Sequence, residues 1–422
     1  MILLTSALYL NAFVSVSQAQ PVNQITLNEC YLMAEHNYPL VKQRELILKT
    51  SEYTIENIQK GYLPQLNINS QATYQSAVTQ IPLKLPGVNI SDISKDQYKL
   101  YVELNQVLYD GGIIDQQKQL QKANEATERQ KLEAELYKLK ERINQLFFGI
   151  LLIDGQLKQN SFLIKDLQLG LNKIQAAINN GTALKSNANV LKADLLKSTQ
   201  RNIELMATRK AYTNMLSFFI NKDLNEKTLL VKPQPTTISQ EINRPELSIY
   251  IEQNKIIDVQ NSQLTARALP KLNLFFQGGV GRPALNLLNN DFDPYYIGGV
   301  RFTWSPSILY TLKKDRVLLA INKRNIDIQK ETFLFNTRLV IKQQNGEINK
   351  YQELLDTDDE IISLRQQVKT ASLAQLTYGV ISANDYLREA NAEDQARQNK
   401  ILHEIQLLMS QYNQQTTTGN QQ

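Results

Sequence analysis

Few side chains in this sequence could do chemistry, and they are scattered. There are two histidines, His36 and His403, and one cysteine, Cys30. A zinc site draws three or four ligands from Cys, His and carboxylates, and no such cluster forms around either histidine. Both histidines read as helix-surface residues. A lone cysteine cannot close a disulfide within one chain, and Cys30 reads as a small buried residue on a helix. No Ser/His/Asp or Cys/His grouping offers an activated nucleophile. The acidic run Asp356, Asp358, Asp359 and Glu360 lacks the spacing of a calcium loop and reads as a solvated helix face. Gly278-Gly279-Val280-Gly281 sits in an alternating stretch with no helix start behind it, so it reads as strand geometry and not as a phosphate-cradling loop. No catalytic residue, cofactor or metal is expected, and the chain does not read as an enzyme.

The rest of the sequence describes an exported, elongated protein. Its first 19 residues, MILLTSALYLNAFVSVSQA, are apolar and end in Ser17-Gln18-Ala19, which predicts a signal peptide cleaved after Ala19, although no Lys or Arg precedes the apolar run. Beyond it, no run of 18 apolar residues predicts a membrane-spanning helix. The composition is 42% hydrophobic and 21% charged, which excludes collagen-like and highly charged disordered chains. A formal charge of +5 with no concentrated basic patch gives no support for a nucleic-acid partner.

The chain reads as two copies of one unit. Asn37-Tyr38-Pro39-Leu40 and Leu63-Pro64 correspond to Asn243-Arg244-Pro245-Glu246 and Leu269-Pro270. Val102-Glu103-Leu104 and Gly181 correspond to Val300-Arg301-Phe302 and Gly379 at a shorter offset. Each unit has a helix, two strands, a very long helix, a turn and another helix. Repeat one covers 20–221, with a helix over about 26–61 opened by a Thr26/Glu29 capping box. Its strands are 64–80 and 97–110, its long helix 113–178 and its last helix 186–221. A linker, 222–243, leads to repeat two, 244–414, with strands 270–281 and 295–305, a long helix 307–376 and a helix 382–414. Residues 415–422 read as a disordered tail. No proline interrupts either long helix. Ile143, Leu146, Ile150, Ile153 and Leu157 begin a 3-4 spaced seam that predicts a coiled coil, and Leu354, Ile361, Leu364 and Val368 form a looser one.

The strands have unlike sides. Leu66, Ile68, Leu100, Val102, Leu272, Leu274, Val300, Phe302 and Trp304 fall on one set of alternate positions; Asn67, Asn69, Gln71, Asn105, Asn273, Gln277 and Thr303 fall on the other. Four strands are too few to close a membrane barrel, for which about eight is the minimum, so closure would need several copies. The first set would then meet lipid and the second a water-filled lumen. Tyr62, Tyr98, Tyr109, Tyr295, Tyr296 and Trp304 would supply interfacial girdles.

Taken in order, LNECYLMAEHNYPLV, the LPQLN and LPKLN strand starts, QVLYDGG, NGTALKSNANVLKADLL and YGVISANDYLREA resemble the TolC-like outer-membrane efflux proteins over about residues 25–414. The resemblance implies an α+β membrane protein of the Gram-negative outer membrane, reaching into the periplasm. It implies a trimer with four strands per protomer in one twelve-stranded barrel, continued by an α-helical coiled-coil barrel. It also implies an exit duct for small molecules or proteins, with a periplasmic adaptor and an inner-membrane transporter as partners. In the family the helix turns form the closed end; here these carry Gly181, Asn187, Gly379, Ile381, Asp385 and Arg388. Asp385 matches a family aspartate. Ile381 and Arg388 stand where a gating arginine and a second acid would be, so an Asp385–Arg388 pairing is the expected substitute. The alternative reading is an exported coiled-coil scaffold of the cell envelope without channel activity.

Overall fold

The computed structural model describes residues 24–79, 93–225, 228–236, 241–287 and 289–420; the expected signal peptide lies outside them. The elements in chain order are β1 (Gln24–Ile25), α1 (Leu27–Asn37), α2 (Gln43–Gln59), β2 (Gln65–Tyr74), β3 (Asp96–Tyr109), α3 (Ile113–Tyr137), α4 (Leu139–Asn179) and α5 (Lys185–Ile220). They continue with β4 (Leu229–Leu230), α6 (Glu246–Arg267), β5 (Lys271–Arg282), β6 (Asp293–Thr303), α7 (Leu309–Thr377) and α8 (Ala383–Thr418). The chain divides into two compact units.

One unit, residues 38–139, 238–346 and 413–422, holds the sheet. Its strands are ordered β2-β3-β5-β6, all antiparallel, so the central pair joins a strand of the first half of the sequence to one of the second. A bulge between Val107 and Tyr109 ends the regular ladder of β3. There Asp110 accepts the backbone N–H of Gly112 at 2.8 Å and of Ile114 at 2.7 Å, satisfying donors that the first turn of α3 leaves free. α3 packs on α2 and α6. Arg44 grips Glu133 with two N–H groups, at 2.7 and 2.6 Å, tying α2 to α3.

The other unit, residues 1–37, 140–237 and 347–412, is built from long helices. Leu163, Leu167 and Ile174 of α4 share a core with Leu191 of α5, Leu376 of α7, and Ala383, Tyr386, Leu387 and Ala390 of α8. The expected α4 seam is the side that is covered: Ile143, Leu146, Ile150, Ile153, Leu167 and Ile174 are all buried. β1 pairs with β4 in parallel, Ile25 opposite Leu230, which joins Gln24–Ile25 to the linker. The Thr26/Glu29 capping box forms as expected, with the Thr26 N–H and hydroxyl donating to the Glu29 carboxylate at 2.8 and 2.9 Å.

Several expectations are corrected. The first helix is broken: Tyr38 is extended before Pro39, whose ring excludes a helical residue ahead of it. The long helix 113–178 is interrupted at Lys138. Beside the break the Tyr137 hydroxyl donates to the Thr416 carbonyl at 2.9 Å, and the Arg244 guanidinium lies over its ring. Residues 415–418 are not a tail but the last turn of α8, with Thr416 and Thr418 buried and the Asn243 N–H donating to the Thr418 carbonyl at 2.6 Å. The first strand ends at Tyr74, and position 80 lies outside the described residues. Leu354, Ile361, Leu364 and Val368 face outward, while Ile348, Asp358, Ser372 and Leu376 form the covered side of α7. His403 is half-buried, bonded through Nδ1 to Asp358 at 2.8 Å, so neither belongs to a solvated face.

The Gly278-Gly279-Val280-Gly281 stretch lies within β5. A Cβ on Gly279 would stand 2.5 Å from the Tyr101 Cβ and nearer still to the Leu100 carbonyl oxygen. Gly279→Val is therefore expected to break the β3–β5 pairing, while Val280→Ile on the exposed face leaves it intact. Far-UV circular dichroism and protease resistance of the two variants check this.

Candidate functional site

Antiparallel partners that stand opposite each other share a face. Leu66 pairs with Leu104, which pairs with Phe276; Ile68 pairs with Val102; Leu274 pairs with Val300 and Leu272 with Phe302. These positions form one apolar face, and it is exposed: Ile68 is 74% accessible and Phe302 64%. The opposite face carries Asn67 against Glu103 and Gln277, Asn69 against Tyr101, Asn105 against Phe275, Asn273 against Arg301, and Thr303 against Lys271. Both sets of sequence-read strand residues thus fall on opposite faces of one sheet. Trp304 stands just past β6 and donates through its indole N–H to the Ala268 carbonyl at 3.1 Å. Tyr98 and Tyr296 lie on the apolar face, but Tyr295 is on the polar one, because it pairs with Gly279 beside Tyr101.

The polar face is organised around Glu103. Its carboxylate accepts from Asn105 at 2.7 Å, Gln277 at 2.6 Å and Arg301 at 3.2 Å, which links β3, β5 and β6 by side chains. The Arg301 guanidinium also lies over the Phe275 ring, 4.6 Å from its centre. This charge is compensated within the sheet.

The helix turns form a second candidate region. Gly181 and Gly379 have φ of +72° and +74°, the left-handed conformation that side chains disfavour. In each turn the glycine N–H bonds the carbonyl three residues back and the next N–H the carbonyl five back: Gly181 to Ile178, Thr182 to Ala177, Gly379 to Leu376, Val380 to Gln375. Both helices therefore end in a Schellman motif. The helices that follow begin differently. At α8 the Ser382 hydroxyl and N–H donate to the Asp385 carboxylate at 2.6 and 3.1 Å, and the Asp385 N–H donates back at 3.3 Å, a capping box. At α5 the cap position is Leu184, without a side-chain cap, and the Asn187 N–H donates to the Leu184 carbonyl at 3.1 Å. Asp385 and Arg388 come within 4.0 Å, but Arg388 lies closer to Glu389, at 3.0 Å. Ile381 packs against the helical core.

Residues not anticipated from the sequence tie the helices together above these turns. Lys369 of α7 reaches Asp166 of α4 at 2.7 Å and Glu393 of α8 at 3.2 Å; Glu393 also pairs with Arg397. Asp394 is buried, accepts from Gln159 at 3.0 Å, and faces Arg201 at 3.8 Å. Burial pushes its carboxyl up from the usual range, against those partners. Burial also pushes the Tyr386 phenol up to about 12. The available signal was Gly170, a glycine among helix formers, where a Cβ would stand 3.3 Å from the Tyr386 ring.

Two outcomes follow. The Ser382 hydroxyl, then its N–H, hold the Asp385 carboxyl below the usual carboxylate range. A depressed folded-state value contributes stability above the unfolded value, about 3.9, and loses it as pH falls through the folded one. Hydrogen-exchange protection factors at 383–386 should fall from pH 5 to pH 3, and Asp385→Ala should lower them at pH 7 whereas Arg388→Ala should not. Lys369→Met leaves Asp166 without its cation and Glu393 with Arg397 alone; a loss of about 2 kcal/mol is expected from denaturant unfolding.

No family model and no curated protein matches the sequence. Solved structures do. CusC, in a study of transmembrane channel formation, is similar at a TM-score of 0.68 and 11% identity, over 94% of this chain and 92% of that one. The outer membrane protein VceC of Vibrio cholerae is similar at 0.65 and 11%, over 93% and 96%. The CmeC outer membrane channel of Campylobacter jejuni is similar at 0.64 and 14%, over 93% and 85%. At these identities the match is one of fold: over more than nine-tenths of its length the chain is similar in fold to these outer-membrane proteins, and it is mostly helical with one four-stranded sheet, as the expected α+β class requires.

Proposed function

We propose that the protein is an exit duct in the outer membrane of a Gram-negative bacterium. Three copies supply four strands each to one twelve-stranded barrel, and their long helices continue it as a tunnel into the periplasm. A periplasmic adaptor and an inner-membrane transporter deliver cargo, small molecules or proteins.

The observation that carries this reading is a four-stranded sheet with one exposed apolar face, one polar face and two edges, β2 and β6, that no other strand pairs among the described residues. Within hydrocarbon every backbone N–H and C=O needs a protein partner, and a sheet supplies one only by closing. Closure places Leu66, Ile68, Leu100, Val102, Leu272, Leu274, Val300 and Phe302 toward lipid, with Trp304 at its rim. Asn67, Asn69, Gln71, Asn105, Asn273, Gln277 and Thr303 then line water. The fold shared with CusC, VceC and CmeC supports the same reading.

The turns around Gly181 and Gly379 are the closing end. Around a threefold axis they bring three Asp385 and three Arg388 side chains together, which avoids the repulsion of an all-acid ring. Asn187 and Ile381 complete this end without charge.

Purified protein in planar bilayers should pass ions in steps of one size, and Asp385→Ala or Arg388→Ala should raise the step. Steps unchanged in both variants remove the gate assignment; a protein that inserts yet never conducts, in any variant, removes the duct.

A further inference from the structure

The strands carry few charges, and the register sorts them. Asp96 stands opposite Tyr74 and Arg282 opposite Tyr98, on the apolar face, where the two form an ion pair. Every other charge in the four strands lies on the polar face: Lys99, Glu103, Lys271, Asp293 and Arg301. The face that would line water therefore holds one positive charge in excess per copy.

That excess is not spread evenly. At the hairpin-tip end, Lys99 and Asp293 stand in one row on either side of Gly281. Neighbouring strands are about 4.8 Å apart, so these opposite charges lie roughly 10 Å from each other, across a residue with no side chain, and offset one another. The other end differs. Lys271 is the first residue of β5, where the strand leaves α6. It is exposed, and among the described residues no carboxylate pairs with it. Arg301 stands opposite Asn273, one row in from the Lys271–Thr303 pair. Its guanidinium lies on the Phe275 ring, and that ring covers Gly299, where a Cβ would stand 3.2 Å from it. The ring and Glu103 together hold the Arg301 cation against the wall. The helix-side half of the polar face thus carries two cations and one carboxylate, and that carboxylate already accepts from Asn105, Gln277 and Arg301.

In a pore, a ring of Lys or Arg side chains favours anions, whereas a ring of Asp or Glu favours cations. Low-dielectric walls around a water-filled lumen focus the field of such a ring. Closure of three copies sets three Lys271 and three Arg301 around the mouth where the barrel meets the helices, with three Glu103 further in.

We infer that Lys271 and Arg301 form a cationic collar at this mouth, that the duct passes anions in preference to cations, and that its small-molecule cargo is anionic. This rests on the three-copy duct reading and adds the sign of the cargo to it. Lys271 sets the sign, and Glu103 limits the preference by pairing with Arg301.

The test uses the full chain in planar bilayers under a KCl gradient, with the zero-current potential as the readout. The wild-type potential should have the sign of chloride preference. The preference should shrink as salt rises, because the screening length falls from about 10 Å at 0.1 M to about 3 Å at 1 M. Lys271→Gln should move the potential toward zero and Lys271→Glu should reverse it. Glu103→Gln, which leaves Arg301 uncompensated, should move it further toward chloride. Lys271 is exposed at the strand start, so its variants report selectivity without disturbing the sheet. A conducting wild type that prefers potassium overturns the collar and leaves the duct standing, as does a potential unmoved by both Lys271→Gln and Glu103→Gln. A protein that inserts and never conducts overturns the duct and the collar together.

Discussion

The structure turns on the edges of its sheet. β2 and β6 are the two edges of the four-stranded sheet, with no further strand paired to them among the described residues, beside a face of exposed Leu, Ile, Val and Phe. In water such an edge invites aggregation; in hydrocarbon each unmet group costs several kcal/mol. A ring of copies removes both problems at once, because the last strand of one becomes the neighbour of the first strand of the next. The proposed ring would account for the two-sided composition of the strands as well. The side-chain link of Glu103 to Asn105, Gln277 and Arg301 compensates a charge on the polar face of the sheet.

The helices meet a different constraint. They reverse direction twice at one end. Both reversals use the same glycine-terminated helix end, yet only α8 restarts with a side-chain cap. Above it, Lys369 joins α4, α7 and α8 through two carboxylates, and Tyr386 fills the space left by Gly170. The second turn is thus held by polar and packing contacts that the first, with Leu184 at its cap position, lacks. Asp385 is committed chiefly to Ser382, so it serves the local helix start before it serves any ring of charges.

What the sequence disclosed was periodicity. Alternation in LNINSQATY and in LNLFF marked strands with two unlike faces, and the register places those residues accordingly. The α4 seam and both glycine turns were equally legible, because helix period and helix termination are local properties. Partner choice is not local. Nothing in the residues around Lys138 foretells the break in the long helix. The last turn of α8 meets Asn243, far away in sequence, whose N–H bonds the Thr418 carbonyl. Leu354, Ile361, Leu364 and Val368 have the right spacing for a seam, but Asp358 and Ser372 are the residues turned inward, since His403 satisfies the carboxylate. Tyr295 was grouped with the interfacial aromatics by type alone, and its register puts it on the polar face.

The account stands or falls on which face of the sheet meets oil. Single cysteines placed in turn at positions 66 to 71 of β2, in protein reconstituted into vesicles, can be read with a nitroxide-bearing lipid and with a charged thiol reagent. The account predicts strict alternation: lipid contact at 66, 68 and 70, and water access at 67, 69 and 71. Uniform water access along the strand would contradict it.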